Sequence, residues 1–184
     1  MKAVVSVPEN KALRRGVFPG SFNPLTVAHL EIARSALDVA DLDEVHLVIS
    51  EVALDKPTPP GPPFAERVEI LIADCSEYTW LSVATTTAQL IVDIARGYDA
   101  VIMGGDKWEQ VNDPAYYGST DKRDAALRDL PEVFVAERDG SIIEGAQILE
   151  TDPSIRHISS TAARDGKRDL MAPHARKRWR QKGD

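Results

Sequence analysis

The chain holds a single cysteine, Cys75, in 184 residues. That excludes an internal disulfide framework and a cysteine-rich zinc site. Cys75 falls on the apolar face of a helical stretch, where a buried structural thiol is the ordinary outcome and a reactive one the exception. Long apolar runs are also missing: none approaches the roughly 20 residues that a bilayer-spanning helix needs, and the N-terminus lacks the apolar core of a signal peptide. A cytoplasmic protein with no membrane partner is expected by elimination. Aromatics are scarce at 6%, and only Trp179 interleaves with the basic residues near the C-terminus, which argues against nucleic acid as a partner.

What is present is ordinary in amount. Hydrophobic residues make up 43% and charged residues 28% of the sequence, the composition of a globular chain. The length suits one domain over residues 1–184, large enough to bury a core without covalent help. The net charge of −7 is unevenly spread: residues 164–182 hold eight Arg or Lys against Asp165 and Asp169, a net +6, which leaves −13 elsewhere. A basic C-terminal helix over residues 165–184 is expected on an acidic body. Its plainest account is a solvated helix with cations near its C-terminus. Binding of an anionic substrate, or of an acidic surface on a second copy in a homo-oligomer, is the other reading.

Residues 16–30, GVFPGSFNPLTVAHL, organise the rest. Gly16 and Gly20 lack a Cβ, which permits sharp turns and close ligand approach; Pro19 and Pro24 stiffen what lies between. Val27, Leu30, Ala33, Leu37 and Ala40 then recur at spacings of three and four, predicting an amphipathic helix over residues 26–39 whose N-terminus faces the loop. Its unsatisfied N–H groups and positive dipole end suit an anion. Thr26 and His29 share one side of the first turn, and both can donate to phosphate oxygens.

The remaining pattern alternates. Residues 1–12 read as an N-terminal extension, and the first strand as ending just before the glycine loop, over about residues 13–18. Residues 44–50 are a strand, and residues 51–63 a proline-rich loop long enough to suggest function or mobility. Phe64, Val68, Leu71, Ile72 and Cys75 form a helical stripe. Residues 80–84 are a strand, after which Thr85, Thr86 and Thr87 open a helix carrying Leu90, Ile91 and Ile94 that Gly97 closes. Residues 100–103 are a fourth strand, ending at Gly104 and Gly105. Residues 112–123 read as a flexible insert, 132–137 as a strand, Asp139-Gly140 as a hairpin-type turn and 146–149 as the last strand. A short helix then follows Ile158, and the basic helix starts near Pro173. Strand and helix in alternation argue for a parallel sheet covered on both faces, with ligands beyond the carboxyl ends of the strands.

The run Gly20, Ser21, Phe22, Asn23, Pro24, Thr26, His29 resembles the G-x-F-[DN]-P-x-[HT]-x-G-H signature of the nucleotidyltransferase superfamily, with Ala28 standing where that family usually has Gly. Two later stretches match in order. Ile158, Ser159, Ser160, Thr161, Ala162, Ala163 and Arg164 look like its ISSTxxR phosphate motif, and Gly104, Gly105, Asp106, Lys107 and Trp108 are similar to the G-x-D-x-[LW] segment of its pyridine-nucleotide branch. The resemblance implies a Rossmann-like α/β fold of nucleotidyltransferase type. It also implies adenylyl transfer from ATP to a phosphorylated small-molecule acceptor. Nicotinic acid or nicotinamide mononucleotide comes first among acceptors; a phosphopantetheine or cytidylyltransferase-like activity is the alternative, and a nucleotide-binding module without turnover the reading from another class.

By the same resemblance Gly20, Ser21, Phe22, Asn23, Gly104, Asp106, Ser159, Ser160 and Thr161 hold the nucleotide, while His29 and Thr26 stabilise charge on the transferring phosphoryl group. Arg164 and Lys56 hold the leaving pyrophosphate, and Thr86, Thr87 and Trp108 meet the acceptor. Each has a plainer reading beside it. Serines before a helix are ordinarily N-caps, Asp106 is a candidate cap for the next helix, Lys56 a solvated lysine, and Trp108 packs as readily as it stacks. Arg164 adds a planar, permanently charged fork suited to phosphate. Magnesium is expected to enter on the triphosphate, with few protein ligands and no dedicated metal site.

Overall fold

The computed structural model describes residues 12–52, 61–137 and 143–179. The N-terminal extension, Lys56 and the Asp139-Gly140 turn lie outside the described residues. The order of elements is β1 (Arg15–Pro19), α1 (Val27–Val39), β2 (Glu44–Ser50), α2 (Phe64–Cys75), β3 (Leu81–Thr86), α3 (Ile91–Ile94), β4 (Ala100–Gly104), α4 (Gly105–Asn112), α5 (Thr120–Arg128), β5 (Glu132–Ala136), β6 (Gln147–Leu149), α6 (Ser160–Arg164) and α7 (Pro173–Arg178).

The strands form one sheet in the order β3-β2-β1-β4-β5-β6, and every pairing is parallel. Side chains alternate across a strand, and here both faces are apolar. Phe18, Ala100, Ile102, Phe134 and Ala136 enter a core shared with α1, α2 and the C-terminal helices. Their neighbours Val17, Val101, Met103 and Val135 point the other way, into a second core with Ile91, Trp108 and Val111. Near-continuous apolar strands are what a sheet covered on both faces requires. The Rossmann-like α/β expectation is therefore met. Because the strand order reverses between β1 and β4, a crevice opens beyond their carboxyl ends, and the loops after these two strands flank it.

Several local expectations change. Glycine at 16 serves packing within β1 rather than a turn, since a Cβ there would lie 2.6 Å from Leu42. The three threonines do not open a helix: Thr85 and Thr86 finish β3, and α3 is a four-residue turn with no side-chain cap. Residues 112–123 are not a loose insert; a 3-10 turn at Pro114–Tyr116 leads into α5, capped by Ser119. A hairpin joining the last two strands is ruled out because β5 and β6 run parallel.

The basic helix expected over residues 165–184 is shorter and broken. A 3-10 turn at Arg168–Leu170 precedes α7. Arg168 donates to the carbonyls of Arg176 and Trp179, and Arg176 donates back to those of Arg168, Asp169 and Met171. These cations are spent within the segment, Arg168 on carbonyls at the C-terminal end of α7 and Arg176 on carbonyls of the preceding turn.

α2 also turns further than its stripe suggests. Ile72 is 51% exposed, while Asp74 is buried beside Cys75. The reason is α7: Asp74 accepts the backbone N–H groups of His174 at 2.7 Å and Ala175 at 3.0 Å, capping that helix from a neighbouring one. Burial pushes the Cys75 thiol up to about 12, in keeping with a structural role.

Candidate functional site

The loop of residues 20–24 leaves β1 and is pinned by Gly20 N–H donating to the Val48 carbonyl at 3.0 Å. A Cβ on Gly20 would meet the Phe22 ring at 2.7 Å, so this glycine makes room for a ring inside the loop. Phe22 itself carries the positive φ, +40°, a conformation that costs a non-glycine residue energy and that its buried ring holds in place. The Asn23-Pro24 peptide is cis. Phe22 and Asn23 are buried and shape the loop; Ser21 is exposed.

Thr26 then caps α1, and a capping box forms with His29. Nδ1 of His29 accepts the Thr26 backbone N–H at 3.1 Å and lies 2.7 Å from Thr26 Oγ1. An acceptor at Nδ1 means that in the neutral ring the proton sits on Nε2. The rings of Phe18 and Phe22 pack at 6.0 Å and 5.4 Å from the imidazole and fix its plane. Thr26 is 0% exposed, so its hydroxyl orients His29 instead of reaching a phosphate as the sequence suggested. The alanine at 28, where the family pattern has glycine, is buried.

The second motif lies against this loop. Ser159 caps α6 by accepting from Ala162 N–H at 3.1 Å, and Ser160 Oγ donates to the Pro24 carbonyl at 2.8 Å across a sequence separation of 136. Arg164 donates to the Asn23 carbonyl and, at 3.1 Å, to Thr161 Oγ1. The capping and phosphate readings of Ser159 are thus compatible, because the cap presents the helix start to the loop.

On the other side of the crevice Gly104 precedes α4 as its N-cap residue, and Asp106 lies in the first turn, exposed. Lys107 Nζ donates to Gln110 at 2.6 Å. Trp108 is 6% exposed, and its indole N–H donates to the Glu144 carbonyl at 3.0 Å; it fills the second core. Thr86 Oγ1 accepts from Ala88 N–H at 3.1 Å, and Thr87 is exposed. Both stand at the end of edge strand β3, two strand spacings or roughly 10 Å from β1. A small cavity of about 40 Å³ lies beyond them, lined in part by Gln89, Lys107, Tyr116 and Tyr117. It has room for a water molecule or two.

One residue of the site went unassigned in the sequence. Arg67, in the first turn of α2, donates to the Ser21 carbonyl at 3.2 Å. Its only sequence signal is a cation at a helix N-terminus, where the dipole disfavours it.

The comparisons with known proteins agree with this geometry. The cytidylyltransferase-like family model matches residues 17–166. A Geobacter sp. (strain M21) protein named "Probable nicotinate-nucleotide adenylyltransferase" is 30% identical over 152 residues, 74% of this chain and 67% of that protein. The Dinoroseobacter shibae "Phosphopantetheine adenylyltransferase" is 35% identical over 98 residues, and the match spans about half of each chain, 50% and 54%. A glycine loop at the switch point, a serine-capped helix bonded to it and a matching family model lead to one assignment: the chain belongs to the cytidylyltransferase-like family and is a nucleotidyltransferase.

Proposed function

We propose that the enzyme transfers the adenylyl group of ATP to a phosphorylated acceptor, nicotinic acid or nicotinamide mononucleotide in the first instance. The observation that carries this reading is the direct bonding of α6 to the loop of residues 20–24, through Ser160 and Arg164. It brings a helix N-terminus, the hydroxyls of Ser159 and Ser160 and a guanidinium to one place, a set of groups suited to a triphosphate. The names of the relatives support adenylyl transfer as the chemistry.

In this reading a phosphate oxygen of the acceptor attacks the α-phosphorus in line. The bond from that phosphorus to the bridging oxygen breaks, and pyrophosphate departs with its electrons. No covalent enzyme intermediate is needed, so positioned donors supply the catalysis. His29 donates from Nε2 to the α-phosphoryl oxygens, held in place by Thr26. Arg164, with Lys56, stabilises the leaving pyrophosphate, and Gly104 and Asp106 meet the adenosine. Thr86 and Thr87 face the acceptor. Magnesium comes with ATP as part of the substrate; among the described residues no three of His, Cys, Asp and Glu cluster as a metal cage. A cytoplasmic location belongs to the same proposal.

Thr26 in place of a first histidine, together with the Dinoroseobacter shibae relative, favours phosphopantetheine as the second candidate acceptor. The test is pyrophosphate release with magnesium, ATP or CTP, and a panel of nicotinic acid mononucleotide, nicotinamide mononucleotide, phosphopantetheine and small alcohol phosphates. Turnover with a mononucleotide and ATP is the expected result. Turnover only with CTP refutes the adenylyl reading, turnover of ATP only with another acceptor refutes the mononucleotide, and silence with every acceptor while ATP binds favours a nucleotide-binding module.

A further inference from the structure

Arg67 is a half-buried guanidinium in a place where a cation needs explaining. It stands four residues after the N-cap of α2, near the positive end of that helix. Among the described residues it has no ion-pair partner and one side-chain hydrogen bond, to the Ser21 carbonyl, and its charge lies 5.6 Å from the centre of the Phe64 ring. Desolvation holds the guanidinium below its ordinary pKa. A desolvated, permanently charged group without a carboxylate is costly, and one carbonyl uses only one of five donors.

The surroundings say what this fork is placed to meet. Ser21 belongs to the loop of residues 20–24, and Arg164 bonds the carbonyl of Asn23 two residues further on. Two arginines therefore reach the same five-residue loop from different helices, Arg67 from α2 after strand β2 and Arg164 from α6 after strand β6. Each bonds a carbonyl of the loop and brings a charged group to its edge. Both guanidiniums therefore stand at one loop, Arg67 beside Ser21 and Arg164 beside Asn23.

We propose that Arg67 is a second phosphate-binding arginine of this site, taking phosphoryl oxygens beside Ser21 while Arg164 serves the loop at Asn23. The inference rests on the nucleotidyltransferase reading and adds to it a ligand-contacting residue. The phosphate belongs either to the acceptor or to the departing pyrophosphate, and binding measurements separate the two.

The experiment is calorimetric titration of wild type, Arg67→Met and Arg67→Lys with inorganic pyrophosphate, ATP and nicotinic acid mononucleotide, with unfolding midpoints recorded alongside. Arg34→Met removes an exposed arginine outside the site and controls for loss of charge alone. Loss of a charged hydrogen-bond donor predicts about 10- to 100-fold weaker binding in Arg67→Met. Loss for pyrophosphate and ATP assigns the leaving group, and loss for the mononucleotide assigns the acceptor phosphate. Arg67→Lys keeps the charge without the fork, so it falls between; it carries the test if Arg67→Met fails to fold. Wild-type affinity of Arg67→Met for all three ligands overturns the proposal. So does an equal weakening for all three together with a lowered unfolding midpoint, which would make Arg67 a loop anchor only. A wild type that binds pyrophosphate and ATP but turns over no acceptor removes the adenylyl-transfer reading and leaves Arg67 to be judged on binding.

Discussion

Replacing His29 by alanine, asparagine and glutamine separates its two tasks. Nδ1 of this ring closes the capping box of α1 by accepting the Thr26 N–H at 3.1 Å, while Nε2 is the donor that the proposed chemistry uses. Asparagine places an amide oxygen near the position of Nδ1 and nothing at Nε2, so it keeps the cap and loses the donor. Glutamine reaches the Nε2 position but gives up the Nδ1 acceptor. Alanine loses both. A transition-state donor is worth about 100- to 1,000-fold in turnover, and half of a capping box about 1 kcal/mol, or about 2–4 °C in the unfolding midpoint for a chain of this size. Expected, then, are two variants that are roughly equally slow, with asparagine near the wild-type midpoint and alanine a few degrees lower. Glutamine should turn over about 10-fold faster than asparagine, with alanine's loss of stability. Pyrophosphate release at saturating substrates and thermal unfolding by circular dichroism read the two effects separately. Turnover of the asparagine variant within about 3-fold of wild type would refute the donor role.

Three further outcomes follow from other contacts. Arg164→Ala removes the guanidinium that bonds the Asn23 carbonyl and should weaken ATP binding by about 10- to 100-fold; unchanged ATP affinity in a titration would contradict it. Asp74→Ala leaves the first N–H groups of α7 without their acceptor and should cost about 1–2 kcal/mol, read as a lowered denaturant midpoint. Burial raises the Asp74 pKa above the ordinary carboxylate value, so the folded state holds that proton more tightly than the unfolded chain. The resulting stability is full below about pH 4 and is lost as pH rises through the raised pKa. The stability of wild type relative to Asp74→Asn should therefore fall over that window, and a flat or rising difference would refute the assignment.

The sequence by itself determined the elements whose signals are local. Strands at residues 44–50 and 100–103 and the helix after Pro24 follow from apolar period alone, because alternation and the three-to-four spacing record which face each segment buries. The glycine loop and the serine-capped helix were legible for a related reason: hydroxyls before a helix and glycines after a strand are chemistry carried by adjacent residues. Tertiary structure decided everything that depends on what lies across the fold. Ser160 and Pro24 meet from a sequence separation of 136, and no window of sequence contains both. Thr26 became a support for His29 once burial closed its route to a ligand, and Trp108 went to the core when Glu144 accepted its N–H. Asp74 and Arg67 find their partners, α7 and the loop of residues 20–24, in distant segments. A side chain's role follows from its partners and its share of solvent, and packing between distant segments sets both.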